Sequence, residues 1–513
     1  MLSFILRRVF VSSLLLLGAS FIMYLLTAAS GDPLADLRES REPNREELIR
    51  IRSEQLNLDV PAPLRYFLWL SGAARCLIPF ANACDLGVNV RNQPVTDLLP
   101  IALESTIQLL TGATLLAIIF GILIGIVSAL RQNSGFDISV TFIVFLLFSL
   151  PSFFFAVLLK EFIAIGFNDF LADPNIPTAV LIGIGVVSGI IWQSVVAGDA
   201  RRRATVFVLS ALATSGVFAL MDAIDWFRFP GIGPVALPLI ALGIGVLTTT
   251  LFAGLQSRRG LVTGLVAAAL SIATYFSVQG LFDISTAGTI FIVGSALTAA
   301  GIAVGFFAGG FDRNVHMRIG GVTAALSFIV IVIDRFMQSW DAYFTDRAIN
   351  GRPIATIGSS TPTLEGDMWI EGIDVFTHFL LPTLALVLIS LASYTRYVRA
   401  GMLEVLNQDY IRTARAKGLG ERTVVMRHAF RNSLIPLATF IPVDIAAVVG
   451  GAIITEQVFS ISGMGQLFIR ALSNVDPNPV MAYFVIVAVV VLIANLIADL
   501  SYAVLDPRVK APQ

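Results

Sequence analysis

Residues 409–432 read DYIRTARAKGLGERTVVMRHAFRN, five arginines and a lysine in a chain of 513 residues that is 56% hydrophobic and only 13% charged. A soluble domain carries about 25% charged residues, and a mean hydropathy of +0.83 excludes that class. Twelve windows of about 20 apolar residues can be placed, centred near residues 19, 114, 150, 187, 213, 246, 270, 299, 328, 388, 446 and 492. The basic stretch separates the tenth from the eleventh, so the side on which it lies fixes the threading of the whole chain. With the N-terminus inside, the segments on that side hold 20 of the 34 basic residues. Of the other 14, eight fall in the long region 31–99, where length weakens the positive-inside rule. The decisive comparison is 20 against six, and it places 409–432 and both termini in the cytoplasm.

The fold expected is therefore all-α and polytopic, with about 12 transmembrane helices in a cell membrane and lipid as the solvent. The first span follows Arg7 and Arg8 like the core of a signal peptide, but the stretch from Val9 to Ala29 is long enough to cross and carries no clean A-x-A site. It is expected to stay as a span. Cys76 and Cys84 both fall outside, where oxidation is permitted. They are either joined by a disulfide or two small buried thiols, and both readings stay open.

Net charge of −1 and the lack of an aromatic-interleaved basic patch give no sign of nucleic-acid binding. The sequence has no G-x-x-x-x-G-K-[ST] and no Gly-Lys pair at all, so it shows no phosphate-cradling loop. It also lacks H-E-x-x-H, and His316, His378 and His428 are too scattered for metal-ligand spacing. No catalytic residue, metal or cofactor is expected on this chain. If ATP drives it, the ATP and Mg are held by another subunit.

Four segments follow from composition. Residues 1–165 hold spans 1–3 and the outside region 31–99, within which Arg45 to Leu56 suits a surface helix and Pro151 is placed to kink the third span. Residues 166–345 hold six further spans whose inside connectors, DARRRA, QSRRG and DRNVHMR, recur at about 55 residues. That spacing fits either a thrice-repeated hairpin or three unrelated hairpins obeying the charge rule. Residues 346–375 form a polar outside loop. Residues 376–513 hold spans 10–12 and the basic loop 402–432.

Within that loop, Leu403 to Lys417 suits a helix, and Gly418 and Gly420 supply a stop. A second helix is expected from Glu421 past Arg431 into the span that starts at Leu434. Such an element would fit a groove in a partner; the plainer alternative is a solvated loop.

Residues 404–436, EVLNQDYIRTARAKGLGERTVVMRHAFRNSLIP, strongly resemble the coupling loop of ATP-binding cassette (ABC) importer permeases, in the form typical of the dipeptide and oligopeptide (peptide/nickel) permease family. FILRRVF, LTAASGDP, LNLDVPAPLRYFLWL, SLPSFFFAVLL, HFLLPTLAL, GGAIITEQVFSISGMGQL and NLIADLSYAVLDPRVK agree in order. The resemblance implies a six-helix type I importer core, interrupted here by six atypical spans. It implies a second homologous permease, two ATP-binding subunits and an extracytoplasmic solute-binding protein as partners. Carried over by position, the ATPase-facing residues are Asp409, Tyr410, Arg412, Thr413, Ala414, Ala416, Lys417 and Gly418. Arg412 to Ala414 stand where the wider class has an acid and two alanines, and His428 to Arg431 replace a hydrophobic run. Both departures match the peptide subfamily.

Charges within spans are costly and often functional. Asp444 is a candidate pathway residue facing a peptide's ammonium group, or a structural acid paired with another helix. Glu456 is a candidate for the same pathway and for positioning the ISGMG loop that follows. Asp499 is expected to pair with Arg396 or Arg399, and Gly450 and Gly451 to let helices approach. An ion-coupled secondary transporter is the alternative function, although the two groups of six spans lack the likeness expected of inverted repeats.

Overall fold

The computed structural model describes residues 2–76, 84–196 and 198–505. Among these, the architecture is all-helical, with a single isolated bridge, Val88 to Pro94, in place of any sheet. Ten helices are long and apolar enough to cross a membrane, and two bent helix pairs bring the number to twelve. The chain divides into two compact units: Met1–Ala164 with Thr356–Ser359 and His378–Gln513, and Ile165–Ala355 with Ser360–Thr377. Most of the loop 346–375, set apart in the sequence reading, packs with the second unit.

The first unit begins with α1 (Leu2–Ala29), the surface helix α2 (Arg45–Gln55) and α3 (Ala62–Arg75). Helix α3 is amphipathic, and its Tyr66 and Trp69 bury against Tyr24 and Met481. Cys76 closes α3, and a disulfide joins it to Cys84. Helix α4 (Val95–Leu130) then runs 36 residues. Gly121 and Gly125 of α4 let the backbone of residues 394–398 come close: a Cβ at Gly125 would lie 2.7 Å from Val398 Cβ. This is small-residue packing between apolar helices, where van der Waals fit replaces the hydrophobic drive.

After a turn in which Asn133 takes φ 63°, Ser134 caps α5 (Gly135–Ser149) by accepting from the Asp137 amide. The expected kink at Pro151 is a full break. Leu150 and Pro151 are extended, and the chain resumes as α6 (Ser152–Leu158) with a 102° turn of direction. Proline fixes its own φ and pushes the preceding residue out of the helical region, so both residues leave the helix. A π turn, Leu159–Ile165, follows, and its Lys160 ammonium donates to the Val458 carbonyl at 3.2 Å.

The second unit contains three helix pairs: α7 (Thr178–Val195) with α8 (Ala200–Ala223), α9 (Gly233–Phe252) with α10 (Arg258–Phe282), and α11 (Ala287–Ala308) with α12 (Arg313–Gln338). Gly189, Gly245 and Gly301 stand 56 residues apart, and each marks a close approach within its pair. A Cβ would lie 2.6 Å from the Phe207 ring at Gly189 and 2.6 Å from the Gly264 carbonyl at Gly245, and would collide with the Gly320 carbonyl at Gly301. Gly264 and Gly320 are themselves 56 apart. The shared register favours a repeat over three unrelated hairpins, most clearly for the second and third pairs. Asp334 ties this unit's loops: its carboxylate accepts from the amides of Ile232 and Gly233 at 2.7 and 2.9 Å and from the Tyr275 hydroxyl at 3.0 Å.

The first unit resumes within α13 (Met368–Leu406), which continues to α14 (Asp409–Ala416), α15 (Ile435–Phe459), α16 (Met464–Ser473) and α17 (Pro477–Leu505). Gly450 and Gly451 fall outside the described side chains, and LDPRVK lies outside the described residues beyond Leu505. Asp476, 2% exposed, precedes α17 and accepts from the Val90 amide at 2.7 Å. Burial pushes its carboxyl up to about 6, against the opposing pull of the Val90 and Asn478 amides and of Arg52. The native state therefore holds this proton more tightly than the unfolded chain, and stability falls as pH rises from about 4 to about 6. Asp476→Asn is expected to flatten that part of the stability profile, measured by thermal melting of the detergent-solubilised chain; an unchanged slope would refute the assignment.

Candidate coupling site

The expected helix from Leu403 to Lys417 is two helices. Helix α13 ends at Leu406, and Gln408 is extended (ψ 149°) before α14 begins at Asp409. An N-terminal carboxylate suits the dipole of a helix start, so Asp409 opens a new helix where a continuous one was expected. Helix α14 has one apolar face. Ile411 and Ala414, three residues apart, are buried in a cluster with Tyr394, Val398, Met402, Val424, Val425 and Ala429.

The rest of α14, Asp409, Tyr410, Arg412, Thr413, Arg415 and Ala416, is exposed, with exposed Lys417 and Gly418 just beyond. Ala414 is thus an anchor and corrects its placement among the partner-facing residues. A residue three positions before Lys417 on an eight-residue helix faces the core once Ile411 does.

Gly418 ends α14 with φ 75°, a left-handed conformation that glycine adopts at no steric cost. The chain returns through Glu421–Thr423, a π turn at Val424–Ala429 and Phe430–Ser433. Arg415 and Glu421 face each other across the glycine turn, with two hydrogen bonds at 3.1 and 2.7 Å. That bond from Arg415 holds the Glu421 carboxyl below its usual range. Both groups are exposed, so the pair contributes little to stability but fixes the turn's shape. The Asn432 side-chain amide donates to the Tyr410 hydroxyl at 3.0 Å and ties the return segment to α14.

The helices that hold this loop are cross-linked by a pair the sequence did not reveal. Arg399, two turns before the end of α13, donates to both carboxylate oxygens of Asp137 at 2.7 and 2.9 Å. Asp137 also accepts from the Ser128 hydroxyl at 2.5 Å and the Asn133 amide at 3.0 Å. Asp499 therefore pairs with neither arginine expected for it. Its partner is Arg8 of α1, at 2.5 Å, while the Arg396 guanidinium lies 4.7 Å from the Phe148 ring centroid and 5.8 Å from that of Tyr397.

Asp444 is partly buried and accepts from the Tyr394 hydroxyl at 2.8 Å. Glu456, with 0% exposure, accepts from the Thr106 hydroxyl at 2.7 Å and the Gln466 amide at 3.0 Å. Thr106 in turn accepts from the Met464 amide at 2.8 Å. Together they clamp the turn 460–466 onto α4. Gly463 and Gly465 permit the approach: a Cβ at Gly465 would lie 2.6 Å from Ile453 Cα.

Residues 260–511 match the family described as binding-protein-dependent transport system inner membrane component. The match starts inside the second unit. The chain is 37% identical over 226 residues to the oligopeptide transport system permease protein OppB of Mycobacterium tuberculosis, which covers 43% of this chain and 69% of OppB. It is 45% identical over 137 residues to the oligopeptide transport system permease protein AppB of Bacillus subtilis, 27% of this chain and 43% of that protein. It is 43% identical over 138 residues to the dipeptide transport system permease protein DppB of Escherichia coli, 27% and 41% respectively.

Proposed function

We propose, because the chain belongs to the family of inner membrane components of binding-protein-dependent transport systems, that it lines half of a peptide translocation pathway and couples it to partner ATPases. It is a transmembrane permease of the ABC type. In this reading a second homologous permease completes the pathway, and two ATP-binding subunits carry ATP and Mg. An extracytoplasmic binding protein delivers a peptide or a similar small solute. Loop 402–432 and both termini face the cytoplasm, following the arginine bias. The chain carries out no chemistry of its own.

One observation carries this reading. Helix α14 is fixed by Ile411 and Ala414 to the cluster that includes α13 and the return segment, while its other face is exposed. A push on the exposed face would therefore be transmitted to the spans and not absorbed by a flexible loop. The paired carboxylates fit supporting roles: Asp444 is tied to Tyr394 of a neighbouring helix, which supports the structural reading over the pathway one, and Glu456 shapes the turn before α16.

Thr413→Trp is expected to lower peptide uptake roughly 5- to 150-fold, the usual range of a coupling free energy between sites, with the melting temperature unchanged. Gln132→Trp, on the exposed turn between α4 and α5, should leave uptake intact. Full uptake by Thr413→Trp would remove α14 as the point of force transfer.

A further inference from the structure

The three helix pairs of the second unit expose two grooves of different chemistry. One, of about 660 Å³ between α10 and α11, is walled by Val262, Val266, Val304 and Phe307 and has no charged residue in its lining. The other, of about 440 Å³ between α11 and α12, is walled by Ile302, Gly321, Val322 and Ala325 and ends in Asn314 and Arg318. Arg318 is exposed and forms no hydrogen bond or ion pair with a described residue.

The positive-inside bias places that arginine at this end of the helix, but no residue of the helix pairs with it. It lies in the second turn of α12, whose first turn has no acidic residue, and a cation near a helix N-terminus opposes the macrodipole. One carboxylate, Asp312, precedes the helix, and Arg313 beside it is engaged with the Phe306 ring at 4.8 Å. His316 is turned away into the helix contact, its Nδ1 3.0 Å from the Asp312 carbonyl. An anion at Arg318 would satisfy both the guanidinium and the positive end of the helix.

The dimensions name the anion's carrier. From Asn314 to Ala325 the groove follows twelve residues of helix, a rise of about 16 Å at 1.5 Å per step. That is about half of a bilayer's ~30 Å hydrocarbon core. The groove is polar and cationic at one end, then apolar for the depth of one leaflet.

We infer that this groove binds an anionic phospholipid, with the phosphate at Arg318 and Asn314 and an acyl chain along Gly321 to Ala325. The groove between α10 and α11 is the comparison: its lining is uncharged, and Arg258 and Arg259 stand one turn before it. The site depends on no assumption about the transported solute.

The test uses the full chain in phosphatidylcholine vesicles doped with either phosphatidylglycerol or phosphatidylcholine bearing the same diazirine-labelled tails, with cross-links mapped by mass spectrometry. Labelling of 317–325 is expected to be about fivefold higher with the anionic lipid, the ratio given by roughly 1 kcal/mol per basic residue at a membrane surface. Arg318→Gln should bring it down to the phosphatidylcholine level without changing the labelling of 262–270 by either lipid. Ala325→Phe, which fills the chain end of the groove, should lower labelling of 317–325 by both lipids. Equal labelling of 317–325 by the two lipids, or a preference that survives Arg318→Gln, would overturn the assignment.

Discussion

Arg399→Ala is expected to destabilise the folded chain by about 3 kcal/mol, the low end of the usual cost of leaving a buried charge uncompensated, because Asp137 is buried while Arg399 is itself partly exposed. Asp137 is 3% exposed, and Arg399 meets both of its carboxylate oxygens. The Ser128 hydroxyl and Asn133 amide remain as donors after the substitution, but neither supplies charge. The second substitution Asp137→Asn, added to Arg399→Ala, should restore most of the loss, because it removes the orphaned charge as well. The measurement is the melting temperature of the detergent-solubilised chain for both singles and the double. If the double melts as low as Arg399→Ala alone, the pair's charge is not what holds α4, α5 and α13 together.

Glu456→Ala should produce the next largest effect. It leaves two buried donors, the Thr106 hydroxyl and the Gln466 amide, each costing about 1–3 kcal/mol when unsatisfied, and opens a void between α4, α15 and the turn before α16. Glu456→Gln keeps one good acceptor and should recover more than half of the loss. Transport should fall along with stability, because the clamp places the 460–466 turn. Wild-type melting and uptake in Glu456→Ala would show that the turn is held by packing alone.

Much of this architecture was readable in the residues. A span is a composition, so about 20 apolar residues suffice to find it, and all twelve windows correspond to helices or bent pairs. The surface helix at Arg45–Gln55 and the left-handed Gly418 follow from local propensity and from glycine's missing Cβ. What was not readable depends on direction around a helix axis. Sequence gives the depth of Asp499 and of the arginines, and at that depth Arg396 and Arg399 looked nearest. It does not give azimuth, and the partner proved to be Arg8, near the other end of the chain.

The break at Asn407–Gln408 escaped for a related reason. Each residue tolerates a helix, and only the start of α14 at Asp409 determines that Ile411 and Ala414 turn inward. Asp137 could have been suspected, since it stands three residues after Ser134 at a helix start. Its bond to Arg399, 262 residues away, could not.

The most direct test of the account is to purify the full chain with its native partners and to compare wild type with Thr413→Trp. The account predicts that ATP-hydrolysing subunits accompany the wild-type chain and that peptide uptake into vesicles requires ATP. The variant should leave hydrolysis running while uptake falls. Uptake that proceeds without ATP on an ion gradient alone, with no ATP-hydrolysing subunit bound, would contradict it.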